Sequence, residues 1–173
     1  MKWLIEFKQE ILKNPTIKSR LIIFLYRLSS IFYSKNKNPL KYFFIIFVVF
    51  YYFAVEVIWG IEIKPKTKIG WGFLIYHPTA IIINPGAIIG RDFIIRHGIT
   101  IGNKYNRVTN QESKCPVIGN NVELGAYAMI LGGVVIGDHC TIGAMAYVDF
   151  DMADKTMVAA PRGILIKGKR DER

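Results

Sequence analysis

Three histidines and one glutamate are the residues of this chain whose types and spacing could support proton transfer. His77 and His97 lie twenty residues apart, His139 follows later, and Glu62 precedes them. An imidazole can act as a general base because it exchanges protons near neutral pH, and a nearby carboxylate can fix its tautomer. What the four residues can do depends on the elements that carry them.

An apolar residue recurs every six positions through the C-terminal two thirds of the chain. A hexad with two inward-facing positions suits a short strand and a tight turn, and three hexads make one triangular coil of a parallel β-helix. We therefore predict a mainly β fold, a parallel β-helix of hexapeptide repeats. The repeating apolar positions are Ile63, Ile69, Ile75, Ile83, Ile89, Ile95, Ile101, Ile118, Leu124, Ile130, Ile136, Ile142 and Val148.

The repeat is interrupted twice. The step from Ile75 to Ile83 is eight residues, and two of the residues between them are therefore additional. Removing these two leaves eighteen residues between His77 and His97, which is one coil, so their backbones should be stacked about 4.8 Å apart. The longer step, from Ile101 to Ile118, predicts an expelled loop over residues 103–116. Functional residues tend to lie where a regular scaffold is interrupted.

The histidine pair allows two interpretations at this point. His77, beside the first interruption, could be a general base, or both histidines could be partly buried turn residues bonded to backbone carbonyls. His139 follows Asp138 in a turn and should be solvated. The separations do not place three imidazoles at one level, so we predict no metal site.

Ahead of the repeats, apolar periodicity predicts three helices, over residues 1–13, 15–33 and 39 to about 60. The pairs Asn14-Pro15 and Asn38-Pro39 are typical of an N-cap followed by proline at the first helical position. We predict a helical segment over residues 1–60 and a catalytic β-helix over residues 61–152. A strand and a basic tail should follow over residues 153–173.

The charge of the chain is concentrated in this helical segment. The formal net charge is +10, and residues 1–60 hold nine Lys or Arg against three Glu. Fourteen uncharged residues separate Lys41 from Glu56, fewer than the roughly 20 that a membrane crossing needs. A basic, apolar segment favours an anionic membrane surface over nucleic acid. The alternatives are ordinary solubilising charge and a cap in which the aromatic residues pack against the β-helix or a neighbouring subunit.

Two cysteines, Cys115 and Cys140, provide neither a disulfide framework nor a paired metal-ligand spacing. Cys140 occupies a small inward position and should be buried. No secretory signal pattern is seen, so we expect the repeats to face a reducing cytoplasm.

Two motifs, together with the eight-residue step beside His77, carry a resemblance to a known family. They are Asp92-Phe-x-Ile-Arg-His-Gly-x-Thr-Ile-Gly-Asn103 and Cys115-Pro-x-Ile-Gly-Asn-x-Val-Glu-Leu-Gly125. Over about residues 60–163 the chain resembles the hexapeptide-repeat acyltransferases, in their serine-acetyltransferase-like branch. Its nearest likeness is to the colanic-acid-type O-acetyltransferases of bacterial exopolysaccharide clusters. The resemblance implies a left-handed parallel β-helix that assembles as a homotrimer.

The resemblance also implies roles for particular residues. His77 would take a proton from the acceptor hydroxyl, Glu62 would orient His77, and His97 would contact the acceptor. Acetyl-CoA, the co-substrate, would bind in a groove between adjacent β-helices. The residues implied to contact acetyl-CoA are Gly102, Asn103, Ala126 and Ala144 in the groove, with Arg162 and Lys167 near the nucleotide phosphates.

Three departures from serine acetyltransferases bear on the acceptor. Glu62 stands in place of Asp, Tyr76 in place of the Asp before the histidine, and Lys114-Cys115 in place of Arg-His. The last two losses concern serine recognition and argue for another acceptor. The resemblance to exopolysaccharide O-acetyltransferases implies that this acceptor is a sugar hydroxyl in capsule or exopolysaccharide synthesis. The predicted location is the inner face of the cytoplasmic membrane. Serine acetylation is the alternative enzyme, and a membrane-tethered β-helix scaffold with an occluded His77 is the non-enzymatic one.

Overall fold

The chain folds into a parallel β-helix preceded by helices, which confirms the predicted fold class. The computed structural model describes residues 2–34 and 41–163. Sheet A contains β1 (Ile61–Ile63), β4 (Ile81–Ile83), β7 (Thr100–Gly102), β12 (Met129–Leu131) and β15 (Tyr147–Val148). Sheet B contains β2 (Lys68–Ile69), β5 (Ile88–Ile89), β10 (Val117–Ile118) and β13 (Val135–Ile136). Sheet C contains β3 (Leu74–Ile75), β6 (Ile94–Ile95), β11 (Glu123–Leu124), β14 (Thr141–Ile142) and β16 (Met157–Val158).

Equivalent hexad positions lie directly beneath one another along the axis. In sheet C, Ile75 pairs with Ile95, which pairs with Leu124, and all three side chains are buried inside the coils. Cys140 is also buried, as predicted. The coils approach so closely at the corners that a Cβ on Gly90 would lie 2.5 Å from the Gly119 carbonyl oxygen. Glycine after the inward isoleucine is therefore a packing requirement at this corner.

Both predicted interruptions occur at corners of the coil. The corner of residues 76–80 holds the two additional residues, and His77 and Ala80 adopt the left-handed conformation there, at φ 53° and 52°. The longer interruption forms an antiparallel hairpin of β8 (Tyr105–Asn106) and β9 (Gln111–Glu112). The expelled loop is thus confirmed, and it contains paired strands that the sequence did not indicate.

The N-terminal helices are α1 (Lys2–Lys13), α2 (Ile17–Ser34) and α3 (Lys41–Tyr51), the last continuing as a π-helical segment from Tyr52 to Ile58. The predicted cap at Asn14 is wrong, because Thr16 caps α2. The Thr16 hydroxyl accepts from the Ser19 backbone N–H, and the Ser19 hydroxyl accepts from the Thr16 N–H. Asn38-Pro39 lies outside the described residues. Among the described helices, none combines the length and apolar character of a transmembrane span.

The helices cover the open end of the first coil and bond its backbone. This coil has no coil before it, so its carbonyls and N–H groups need other partners. The Tyr51 hydroxyl donates to the Ile63 carbonyl, and the Tyr26 hydroxyl donates to the Thr67 carbonyl at 2.6 Å. Burial raises the pKa of Tyr26 to about 12, so this hydroxyl remains a donor at neutral pH. Some of the aromatic residues, including Tyr26 and Tyr51, therefore pack against the β-helix as in the predicted cap.

A buried ion pair completes the cap. The Arg27 guanidinium bonds both carboxylate oxygens of Glu10 at 2.6 and 2.8 Å and donates to the carbonyls of Ile69 and Gly70. Glu10 also bonds the coil itself, since its Oε1 atom accepts a hydrogen bond from the Phe73 N–H at 2.8 Å. The side chains of α1 and α2 thus take the place of a preceding strand.

Removing Glu10 should destabilise the protein strongly, because Arg27 would be left buried without its counter-charge. We expect Glu10→Ala to lower the free energy of unfolding by about 3–5 kcal/mol in urea titrations. Glu6→Ala is the matched control on the same helix: Glu6 pairs with Arg91, whose side chain is 53% exposed, and the loss should be below about 1 kcal/mol. Equal losses in the two variants would contradict the cap.

Candidate active site

The two predicted histidines lie one above the other at a single corner of the coil. We call it the C–A corner, the turns that lead from sheet C to sheet A at residues 76–80, 96–99, 125–128 and 143–146. His77 follows Ile75 by two residues as His97 follows Ile95, and those isoleucines pair in register. The ring centroids are 6.2 Å apart and the planes are nearly perpendicular. The predicted stacking is confirmed, and His77 is exposed to solvent.

A third ring extends this column, and sequence reasoning missed it. The Tyr127 ring lies 4.9 Å from the His97 ring, edge to face. It fits against Gly98, where a Cβ would lie only 2.3 Å from Tyr127 Cδ1. Tyr127 occupies the position after Ala126 as Gly98 does after His97, so aligning the coils could have found it. The His97 Nδ1 atom is buried here and has no hydrogen-bond partner among the described residues.

A charged pair borders the histidines. The Arg96 guanidinium lies over the Tyr76 ring, 5.6 Å from its centroid, and bonds Glu123 at 2.6 Å. Both charged side chains are partly exposed. Tyr76 is therefore covered by a cation that is already paired.

Glu62, the predicted partner of His77, lies on the outer face of sheet A. It is in register with Ile82, the second residue of the strand that follows the histidine corner, and its side chain is exposed. Within the described residues, Glu62 forms no hydrogen bond or ion pair with His77. Burial alone would lower the pKa of Lys64. The hydrogen bond and charge of Glu56, together with the charge of Glu62, outweigh burial, so the pKa lies above its ordinary value. The orienting role of Glu62 stays a prediction.

The residues predicted to contact acetyl-CoA fall at two corners. Ala126 and Ala144 follow Leu124 and Ile142 by two residues, which places them on the C–A corner in line with the histidines. Gly102 ends β7 and Asn103 follows it at the opposite edge of sheet A, where the Asn84 amide donates to Asn103 Oδ1 at 2.9 Å. Within one chain, Ala126 and Ala144 therefore lie at the histidine corner, whereas Gly102 and Asn103 do not.

The remaining predicted residues lie away from the histidine column. Arg162 is exposed near the end of the described chain, and Lys167 lies outside the described residues. His139 is at the corner between sheets B and C and is exposed, as predicted. Across residues 2–34 and 41–163, no group of three or more metal-ligating side chains could hold an ion.

The hairpin is anchored across the coils by Lys104. Its ammonium bonds Asp149 at 2.6 Å and lies over the Tyr147 ring. The hydrogen bond to Asp149 raises the pKa of Lys104, and the same bond lowers that of Asp149. Cys115 lies at the end of the hairpin, where burial and then the charge of Glu112 raise its thiol pKa. The thiol is therefore not activated as a nucleophile.

Comparison with known proteins relates this site to transferases. Residues 115–149 match the family described as bacterial transferase hexapeptide (six repeats). The Escherichia coli K12 protein WcaB, named as a colanic acid biosynthesis acetyltransferase, is 39% identical over 115 residues, covering 66% of this chain and 68% of its own. A Helicobacter pylori J99 serine acetyltransferase is 37% identical over 111 residues, covering 64% of this chain and 63% of its own.

Solved structures show the same architecture. Serine acetyltransferase isoform 3 of Entamoeba histolytica, with cysteine, superposes over 95% of this chain and 60% of its own at a TM-score of 0.74 and 21% identity. A serine acetyltransferase complex with CoA superposes over 84% of this chain and 55% of its own, at a TM-score of 0.66 and 25% identity. The chain therefore spans a little over half of these enzymes.

The coil register, the stacked histidines and the relatives agree on one assignment. WcaB is matched over more than two thirds of its length by this chain, and both WcaB and the serine acetyltransferases are named for acetyl transfer. This chain belongs to the hexapeptide-repeat acyltransferase family.

Proposed function

We propose that this protein is an acetyl-CoA-dependent O-acetyltransferase that acts on a sugar hydroxyl in capsule or exopolysaccharide synthesis. The observation that carries the proposal is the exposed His77, held in the two-residue bulge and stacked on His97. The similarity to WcaB supports the carbohydrate acceptor. CoA in the complex of a similar serine acetyltransferase supports acetyl-CoA as the acetyl donor.

In the proposed reaction, His77 serves as general base. Its free imidazole nitrogen takes the proton of the acceptor hydroxyl while that oxygen bonds to the thioester carbonyl carbon. The carbon–sulfur bond then breaks, and His77 returns the proton to the leaving sulfur. The products are an acetyl ester and free CoA thiol, so the step balances without a covalent enzyme intermediate. His97 contacts the acceptor, and Glu62 orients His77.

The small residues of the C–A corner fit a thin donor molecule. Ala126 and Ala144 continue the position of His97 with side chains no larger than a methyl group, which suits the close approach that a pantetheine arm requires. Acetyl-CoA supplies the activated acetyl group, and the chain supplies the channel and the base. Arg162 and Lys167 are proposed to meet the nucleotide phosphates.

Serine is the second candidate acceptor, favoured by the serine acetyltransferase relatives at comparable identity. Tyr76 and Cys115 argue against it, because neither supplies the charge that would hold the ammonium and carboxylate of serine. The non-enzymatic scaffold required an occluded His77, whereas this side chain is exposed. An assay with labelled acetyl-CoA and both acceptor classes separates the candidates.

Substituting the histidines one at a time tests the assigned roles. We expect His77→Ala to lower kcat by about 10²–10⁴, with CoA binding intact. His97→Ala should chiefly raise the acceptor KM, and Glu62→Gln should fall between. His139→Ala, at a different corner, is the matched control and should match wild type. Near wild-type kcat in His77→Ala with loss in His97→Ala would reverse the two roles.

The separation of the predicted donor residues supports a homotrimer. Ala126 and Gly102 lie at opposite edges of sheet A, so one groove can include both only if it lies between two copies. Three copies whose sheets A face a common axis bring the C–A corner of each beside the hairpin corner of the next. The outer face of sheet A carries apolar side chains suited to such burial, at Ile82, Met129 and Tyr147.

A charge on that face should break the trimer. Met129→Lys places an ammonium on sheet A, where the native side chain is 37% exposed, and Val117→Lys places one on sheet B at 42%. Light scattering should give a trimer for wild type and Val117→Lys, and smaller species for Met129→Lys. A monomeric wild type, or dissociation by Val117→Lys alone, would contradict this arrangement.

We also propose that the helices contact the inner face of the cytoplasmic membrane. The face of each helix turned away from the β-helix is apolar and exposed, and Phe7 links the α1 and α2 faces through ring contacts with Trp3 and Phe24. Lysines among these residues complement anionic lipid. We call this surface the outer face; it contains Leu4, Ile5, Leu12, Ile17, Leu21, Phe24, Ile45, Ile46, Val49, Phe50, Phe53 and Val57.

One valine in the outer face and one outside it provide a matched test. Val49, 60% exposed on α3, and Val108, 95% exposed at the hairpin tip, can each be changed to Asp. Val49→Asp should weaken binding to phosphatidylglycerol vesicles by about tenfold in flotation assays, and Val108→Asp should not. Absence of vesicle binding, with pairs of trimers joined through the helices, would contradict the membrane contact.

A further inference from the structure

The histidine corner lies immediately beneath the turn between α1 and α2. Asn14, in that turn, is fully buried; its amide donates to the Phe73 carbonyl, and its oxygen accepts from the Ile75 N–H, both at 3.0 Å. Ile75 precedes His77 by two residues. The proposed base is therefore in the first coil, next to the helices and at the end of the β-helix farthest from Arg162.

The thickness of the helical layer limits the distance from His77 to any surface on which the outer face rests. The layer is one helix deep, about 10–12 Å with side chains, and the first coil follows directly. His77 would then lie roughly 15 Å above that surface, one helix diameter plus one coil spacing. The residues on either side of the turn, Leu12 and Ile17, are exposed members of the outer face.

Assembly would strengthen this placement. Copies related by a rotation axis all point the same way along it, so a trimer carries its three outer faces at one end. All three would meet one plane together, and their contributions to binding would multiply. A second set of trimers could cover the same surface, but the lysines Lys8 and Lys18 beside it would then face their own copies.

We propose that the acceptor of this enzyme is a lipid-linked saccharide, presented to His77 from the bilayer on which the outer face rests. The inference deepens the proposed sugar acetylation and rests on it. A sugar anchored at the bilayer has its hydroxyls near the height of His77, whereas a soluble sugar or nucleotide sugar gains nothing from this placement. Anchoring both partners on one surface raises their effective concentration.

The test compares each sugar in two forms. Glucose, galactose, mannose and fucose are offered as water-soluble methyl glycosides and as long-chain alkyl glycosides in phosphatidylglycerol–phosphatidylcholine vesicles, with labelled acetyl-CoA and the full chain. We expect kcat/KM for the anchored form of the accepted sugar to exceed that of its soluble form by tenfold or more. Val49→Asp should reduce this ratio, Val108→Asp should leave it, and His77→Ala should lose transfer to both forms.

The possible outcomes of this experiment test different claims. Equal or better use of the soluble form would overturn the lipid-linked acceptor and leave sugar acetylation standing. Transfer to L-serine and to neither sugar form would overturn the proposed function as well. Transfer to anchored sugars that is unchanged by Val49→Asp would show that the outer face does not deliver the acceptor, and would also overturn the inference.

Discussion

Every backbone N–H and C=O group in a stacked coil needs a hydrogen-bond partner in the coil above or below it. This requirement controls the structure. Coils of a parallel β-helix satisfy one another along the axis, but the first coil has nothing before it. The helices meet that need with side chains, using tyrosine hydroxyls, the Arg27 guanidinium, the Glu10 carboxylate and the Asn14 amide. This requirement explains why Glu10, Asn14 and Arg27 are buried, because each of these side chains bonds backbone of the first coil.

The same stacking determines what kind of site the fold can build. Because hexad positions repeat along the axis, side chains of one position form a column, and chemistry arises where the column is altered. At the C–A corner the alteration is the two-residue insertion that places His77 in the left-handed conformation above His97. At the position of His97 the next two coils carry Ala126 and Ala144, and the Tyr127 ring packs against His97 from the neighbouring position.

The sequence determined the features that follow from counting. The six-residue step gave the register, the eighteen-residue spacing gave the histidine stack, and the seventeen-residue step gave the expelled loop. Contacts between a side chain and backbone far away in the sequence could not be predicted by such counting. Asn14 resembled an N-cap because local rules favour that role, whereas its amide bonds the carbonyl of Phe73, just before β3 and fifty-nine residues away in the sequence. Tyr127 escaped notice because its partner, His97, is adjacent only after the loop between them is removed.

The helical layer departs from the usual distribution of polarity, because charged and polar side chains are buried against the coil while large apolar ones are exposed on the opposite face. A surface helix ordinarily buries its apolar face and exposes its charges. Here Glu10, Asn14 and Arg27 are buried on the coil side beside apolar residues, whereas a second apolar face of α2, at Ile17, Leu21 and Phe24, is exposed. These three polar side chains face the coil because they bond its backbone, and the exposed apolar face lies on the opposite side. A patch of this size needs a cover, and a lipid surface would cover it while keeping His77, at the adjacent corner, open to an acceptor.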